Sequence, residues 1–356
     1  MAVSDTIRRT AAVATKDPAP DKPPNKFRQA LPQYAAVSPF FILFAVFGAF
    51  PVFFSIYLSF HSWDGIGAMK WVGLEQYSYL LTDPQFWKAI TNTLIIWVIS
   101  TVPMLLLALV IANSLHNATR FRSFYRIAYF IPNITSVVAV TMVFGSIFSN
   151  NFGLLNAFLQ SIGLDKIEWL SQPWGIKVAI ASIVAWRWTG YNAIIFLAGL
   201  QAISSDIYEA AKVDGASPRQ TFWRITVPLL RPVILFTAVT STIGGLQIFT
   251  ESQVLFGSSG AIGGPGDGGL TIVSYLYDNA FGANQFGYGA AIGWALFILI
   301  VLFSIINWRL IGGNDDERLT KRAARRANAR IAEQAAQRQA GDTDRTDEPK
   351  ELTDAR

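Results

Sequence analysis

Within the long apolar runs of this sequence, few side chains are equipped for chemistry. Arg187 and Glu251 are charged residues set deep in such runs, in "SIVAWRWTGYNAIIF" and "LQIFTESQVLF". A charge there costs about 2.5–3.5 kcal/mol by insertion scales, so it faces a cavity or a partner. At helical spacing Arg187 shares a face with Tyr191, Trp188 with Asn192, and Gln247 with Glu251. Donors, acceptors and aromatic faces together suit a polyhydroxylated solute, whose hydroxyls need partners and whose ring faces stack. The competing reading is that Arg187 and Glu251 pair with each other, or with a second chain, for structure alone. Asn133, directly after Pro132, is a further lining candidate.

Other chemistries are excluded or thinly supported. There is no cysteine, so disulfides, thiolate metal sites and Cys nucleophiles are absent. His61 and His116 are too far apart to suggest a metal site, and no metal is expected. No phosphate-cradling Gly-x-x-x-x-Gly-Lys-Ser/Thr occurs, so no ATPase or other catalytic site is expected in this chain. "GPGDGG" at 264–269 fits a dinucleotide spacing but lacks the strand before it and the helix after it. The Gly-rich 257–269 reads as a flexible loop or a tight approach to a partner. A proton-coupled carrier would want a relay of buried acids or histidines, for which one glutamate is thin support. A membrane enzyme would need paired carboxylates near the interface, and "NDDE" at 314–317 lies among basic tail residues.

The elements that must position these groups follow from composition. The chain of 356 residues is 52% hydrophobic and 15% charged, which points to the membrane class. A bilayer span needs about 20 apolar residues. Six runs qualify: Val37–Phe60, Ile90–Asn113, Ile127–Phe148, Trp174–Leu200, Val233–Phe256 and Tyr288–Leu310. An all-α integral membrane fold of six helices follows, since a lone span satisfies its backbone only as a helix. Lys and Arg crowd the N-terminal tail, the loops at 114–126 and 201–232, and everything beyond Arg309. Both termini are therefore expected in the cytoplasm of a multi-pass cell-membrane protein. Residues 1–33 read as a disordered tail, 34–311 as the transmembrane domain, and 312–356 as a basic, polar tail. Residues 150–173 read as an outer loop with a short interfacial helix and Trp169 near the headgroups.

The loop at 201–232 contains a compact punctuated motif. Asp206 with Glu209 gives a capping-box signature, and Gly215 supplies a left-handed helix terminus. Ser217–Pro218 starts a second helix at once, with Phe222, Ile225 and Leu229 expected on one face. Pro228 and Pro232 then disturb the ladder. The result is a two-helix elbow with small residues at its bend, expected on the cytoplasmic side. A packed loop folded back on its own helices is the plainer alternative.

"EAAKVDGASPRQTFWRITVPLLRP" resembles the signature loop of ATP-binding-cassette importer permeases, with Glu209, Ala210, Ala211, Asp214, Gly215, Ala216, Phe222, Ile225 and Pro228 at the family's positions. "WTGYNAIIFLAGLQAIS" and "LTIVSYLYDNAFGANQFGYGAAIGWALFILI" resemble other spans of binding-protein-dependent sugar permeases. The likeness covers about 34–311, with a core near 86–310. It fits the first-permease type of maltose and glycerol-phosphate importers, without the maltose subunit's extra spans and outer domain. The resemblance implies a type I importer permease core whose coupling helix, in the loop, docks on an ATPase. It implies a second permease, two ATPase subunits carrying ATP and Mg, an extracytoplasmic sugar-binding protein, membrane lipid, and no nucleic acid. A disaccharide or short oligosaccharide is the expected solute, with glycerol phosphate second. A gradient-driven secondary carrier is the main rival.

Overall fold

A computed structural model describes residues 26–117, 121–257 and 262–312. The expected readings for residues 1–25, the basic tail beyond 312 and "NDDE" at 314–317 lie outside these. The chain divides into two compact units at Tyr57/Leu58. In the first unit, helix α1 (Lys26–Phe44) runs through a π-turn at Ala45–Ala49 into α2 (Phe50–Leu58). Helix therefore starts inside the segment 1–33 that the sequence reads as tail. Phe40, Phe44, Phe47, Phe50 and Phe53 are all exposed, as expected of a helix whose surroundings are lipid.

The second unit opens with a small antiparallel hairpin, β1 (His61–Ser62) with β2 (Lys70–Trp71). His61 is buried in it, edge-on to Trp71. Then come α3 (Glu75–Thr82), α4 (Pro84–Asn117), α5 (Arg122–Ile134), α6 (Val137–Ile147), α7 (Leu154–Ser161) and α8 (Pro173–Gln201). Short helices α9 (Ser205–Val213), α10 (Pro218–Thr221) and α11 (Val227–Leu229) follow. Last are α12 (Arg231–Leu246), α13 (Thr250–Phe256), α14 (Ile272–Tyr277) and α15 (Phe286–Ile311).

Among the described residues, four stretches are long and apolar enough to cross a bilayer: Pro32–Leu58, Pro84–Asn117, Arg231–Phe256 and Phe286–Ile311. The count rises to six if two bent pairs each form one span. One such pair takes the place of the third span expected at Ile127–Phe148, which the sequence reads as bent at Pro132. Ser123–Ile134 and Val137–Ile147 meet at 92°, with Thr135 and Ser136 extended between them. Pro132 cannot donate to the ladder, and β-branched Ile131, Ile134 and Thr135 crowd the same turn. The expected fifth span is also interrupted. Gly244–Gly245 weakens the end of α12, and Gln247–Phe249 leaves helical geometry before α13.

The core is the α4–α8 pair. Ala108 and Ala112 of α4 meet Ala193, Phe196, Leu197 and Leu200 of α8, all fully or nearly buried. Small residues allow this approach where lipid supplies no hydrophobic drive. α5 crosses α8 closer still: a Cβ on Gly190 would lie 1.7 Å from the Tyr129 carbonyl oxygen. α5 is apolar outward, with Phe124, Ile127, Ile131 and Ile134 exposed.

At the end of the unit opposite α9, Asp83 ties three elements together. It accepts from the Tyr275 hydroxyl, from the Tyr288 hydroxyl at 2.6 Å and from the Gln85 amide at 2.9 Å. Burial pushes the carboxyl up, but these bonds and one from Phe86 outweigh it and hold Asp83 below the ordinary carboxylate range. Burial and the same contact push Tyr275 up to about 12.

Candidate functional site: a central polar cavity and an exposed elbow

α8, α12 and α13, with Thr101 and Met104 of α4, enclose a cavity of about 370 Å³. Arg187, Trp188, Tyr191, Asn192, Gln247 and Glu251 all line it. The break at Gln247–Phe249 means that Gln247 and Glu251 do not share a helical face, as their spacing suggested. They reach the same space from two helices instead. Glu251 sits in the first turn of α13, where the helix dipole favours a carboxylate. Arg187 Nη1 lies 3.6 Å from Glu251 Oε1, and both side chains are largely buried. The pairing weighed from sequence is thus present, and it leaves buried polar atoms unpaired in residues of the cavity wall. Arg187 Nε and Asn192 Oδ1 are buried without a hydrogen-bond partner. Asn192 Nδ2 donates to the Trp188 carbonyl at 3.0 Å. Trp188 and Tyr191 meet edge-on at 5.5 Å, with the Arg187 guanidinium 5.9 Å from the Trp188 ring centroid. One donor, one acceptor and two partly exposed aromatics thus converge on one space.

Asn133 does not line this cavity. It lies on α5, ahead of the bend after Ile134, with Nδ2 buried and without a partner. The sequence reading passed over Thr101, Thr240, Ser241 and Phe249 on the cavity wall. Hydroxyls within apolar runs were the available signal. It also passed over Lys177, which is buried and donates to the Pro173 carbonyl at 3.3 Å. Among the described residues no group of His, Asp and Glu is placed to hold a metal.

The elbow is built locally. α9 is capped by Ser204, whose Oγ accepts from the Asp206 amide at 3.3 Å. The expected Asp206–Glu209 box is therefore displaced by two residues, since the nearer hydroxyl takes the capping position. α9 closes with the Gly215 amide on Lys212 and the Ala216 amide on Ala211, around Gly215 at φ +72°. Ser217 and Gln220 then form a reciprocal capping box for α10. A π-turn at Phe222–Thr226 precedes Pro228, where proline's missing N–H denies the Arg224 carbonyl its usual partner. The extra residue shifts the register, so Leu230 rather than Leu229 is the buried anchor.

Glu209, Ala210, Asp214, Gly215 and Pro228 are exposed. Ala216, Phe222 and Ile225 are half-buried, and Ala211 is buried. Val213 is 88% exposed and Trp223 55%, so the knuckle presents apolar surface outward instead of tucking it away. Beneath it, a second cavity of about 470 Å³ lies between the end of α4, at Asn113 and His116, and Tyr208, Lys212 and Phe222. The described part of the Gly-rich segment packs on its own chain: a Cβ on Gly268 would lie 2.5 Å from Pro173 Cα. Residues 258–261 lie outside the described set.

A helical, multi-pass membrane fold enclosing a polar cavity and offering a punctuated elbow defines a solute permease. The match to known proteins gives the family. Residues 104–310 match the family described as binding-protein-dependent transport system inner membrane component, and the chain belongs to it. It is 37% identical over 276 residues to the lactose transport system permease protein LacF of Rhizobium radiobacter, covering 76% of this chain and 91% of that one. It is 38% identical over 288 residues to the arabinooligosaccharides transport system permease protein AraP of Halalkalibacterium halodurans, covering 80% and 89%. Among solved structures, a chain of a bacterial alginate ABC transporter, in complex with alginate pentasaccharide-bound periplasmic protein, superposes with a TM-score of 0.68. That match has 24% identity and covers 80% of this chain and 96% of that one. At that identity it shows the fold, that of a type I permease.

Proposed function

We propose that this chain is the permease subunit of a binding-protein-dependent sugar importer, and that the 370 Å³ cavity is where the solute passes. The observation that carries the site is the compensated Arg187–Glu251 pair with Arg187 Nε and Asn192 Oδ1 left over. Compensated charge favours a neutral solute, and unpaired donors and acceptors favour one rich in hydroxyls. Trp188 and Tyr191 offer faces for sugar rings. The named relatives transport lactose and arabinooligosaccharides, which supports a disaccharide or short oligosaccharide over glycerol phosphate. Family membership argues against a lone gradient-driven carrier.

A second permease completes the pathway, and two ATPase subunits carrying ATP and Mg dock at the elbow. An extracytoplasmic sugar-binding protein delivers the solute. Exposed Glu209, Val213, Gly215 and Trp223 support the docking role. The basic residues around the elbow, with Lys and Arg throughout the terminal segments, support cytoplasmic termini. The proposed division remains 1–33, 34–311 and 312–356, with 26–33 helical. The test is uptake by the importer assembled in proteoliposomes. Transport should require ATP inside and the binding protein outside, and Asn192→Ala should raise the solute concentration for half-maximal uptake. Unchanged uptake kinetics in that variant would remove the cavity from the pathway.

A further inference from the structure

The connection between α6 and α8 is a pinned knob, free of charge up to Leu164 and then charged at exposed Asp165, Lys166 and Glu168. No charged residue occurs from Ile127 to Leu164. Within it Phe152 is 93% exposed, and Leu154, Phe158, Ile162 and Leu164 are each more than half exposed. Two of its asparagines tie the loop to itself, while Gln160 and Ser161 stay exposed. Buried Asn156 donates to the carbonyls of Asn150 and Ile167 and accepts from the Ile167 amide and from Trp169 Nε1. Asn150 donates to Ser171 Oγ at 2.6 Å and accepts from the Leu170 amide. Trp169 is held by Asn156 and packs edge-on against Phe148.

These bonds decide where the apolar side chains sit. The loop leaves at Ile147, where α6 ends, and returns at Pro173, where α8 begins. Asn150 and Asn156 tie its late residues back to its first, so it cannot extend away from those helix ends. α7 has eight residues, so it is about 12 Å long. The headgroup layer begins at the ends of the spans, about 5–7 Å deep on each side. Held at the span ends, the knob is within reach of the layer in which exposed apolar side chains partition.

We propose that residues 152–164 are a monotopic membrane anchor, with Phe152, Leu154, Phe158, Ile162 and Leu164 set into the acyl–headgroup boundary of the bilayer on the face opposite the elbow. It holds the joined ends of α6 and α8 at a fixed depth. The inference rests on the membrane reading of the chain but not on which face is cytoplasmic.

The absence of cysteine makes the test direct. Phe158→Cys, Leu154→Cys and, as a control, Asp165→Cys are each spin-labelled in the importer reconstituted into phosphatidylcholine/phosphatidylglycerol vesicles. Power saturation with oxygen and with a nickel chelate reads depth. The oxygen-to-nickel accessibility ratio at 154 and 158 should exceed that at 165 several-fold, with or without binding protein. A ratio at 158 equal to that at 165 overturns the anchor. So does protection of 158 only after binding protein is added, which would make the knob a receptor contact. The ratio is insensitive to sidedness, and uptake by the same labelled vesicles separately reports whether the permease reading holds.

Discussion

The elbow and the cavity solve the problem of placing a functional group in opposite ways. The elbow is assembled from neighbours in sequence: Ser204, Gly215, Ser217 and Gln220 each act within a few residues of themselves. The cavity is assembled from distance, since Arg187 and Glu251 belong to helices separated in sequence by the whole elbow and α12. A locally built device tolerates movement as a unit, which suits a handle. A site held by tertiary contacts changes whenever its helices move, which suits a pathway that must open and close.

That contrast can be broken first at the cavity. Glu251→Ala leaves the Arg187 charge buried and unpaired, which costs about 3–5 kcal/mol. A large drop in the melting temperature of the purified chain and loss of uptake are expected. Adding Arg187→Met should restore melting but not uptake. Wild-type melting in the single variant would mean that the pair holds nothing. Next comes the elbow. At φ +72° Gly215 has open space around a notional Cβ, so Gly215→Val is opposed only by backbone strain of about 1–2 kcal/mol. The chain should insert and melt almost normally, while solute-stimulated ATP hydrolysis by the assembled importer is lost. Retained stimulation would show that the bend angle does not matter.

A smaller effect sharpens the same point. Ser217→Ala removes a cap worth about 1 kcal/mol, so amide exchange should quicken across 217–226 and stay unchanged around Arg187. Equal quickening at both sites would mean that the elbow is not a local unit. The smallest effect at neutral pH is expected at Asp83. Its folded pKa lies below the ordinary value, so its contribution is full above about pH 4 and is lost as pH falls through the lower folded value. Melting measured from pH 5 downward should decline in the wild type and decline less steeply in Asp83→Asn. Parallel curves would remove the carboxylate from the account.

Legibility in the sequence followed the same division. Gly215 and Ser217–Pro218 were readable because turn and cap chemistry is written in adjacent residues. Arg187 and Glu251 were readable by their cost in an apolar run, although their spacing alone could not show that they meet. The bend near Pro132 was readable from the proline, but its angle was not. A proline weakens one hydrogen bond, but a 92° turn depends on what α5 packs against. Lys177 escaped notice because it sits among apolar residues close to a helix start, where its amine reaches the Pro173 carbonyl.

The close approach at Gly190 has a mechanical corollary. With the Tyr129 backbone seated where a side chain would stand, α5 and α8 have no slack to slide past one another and must travel as a single rigid piece. Any displacement relative to α6 then falls on the two extended residues Thr135 and Ser136, which become the joint about which that piece swings.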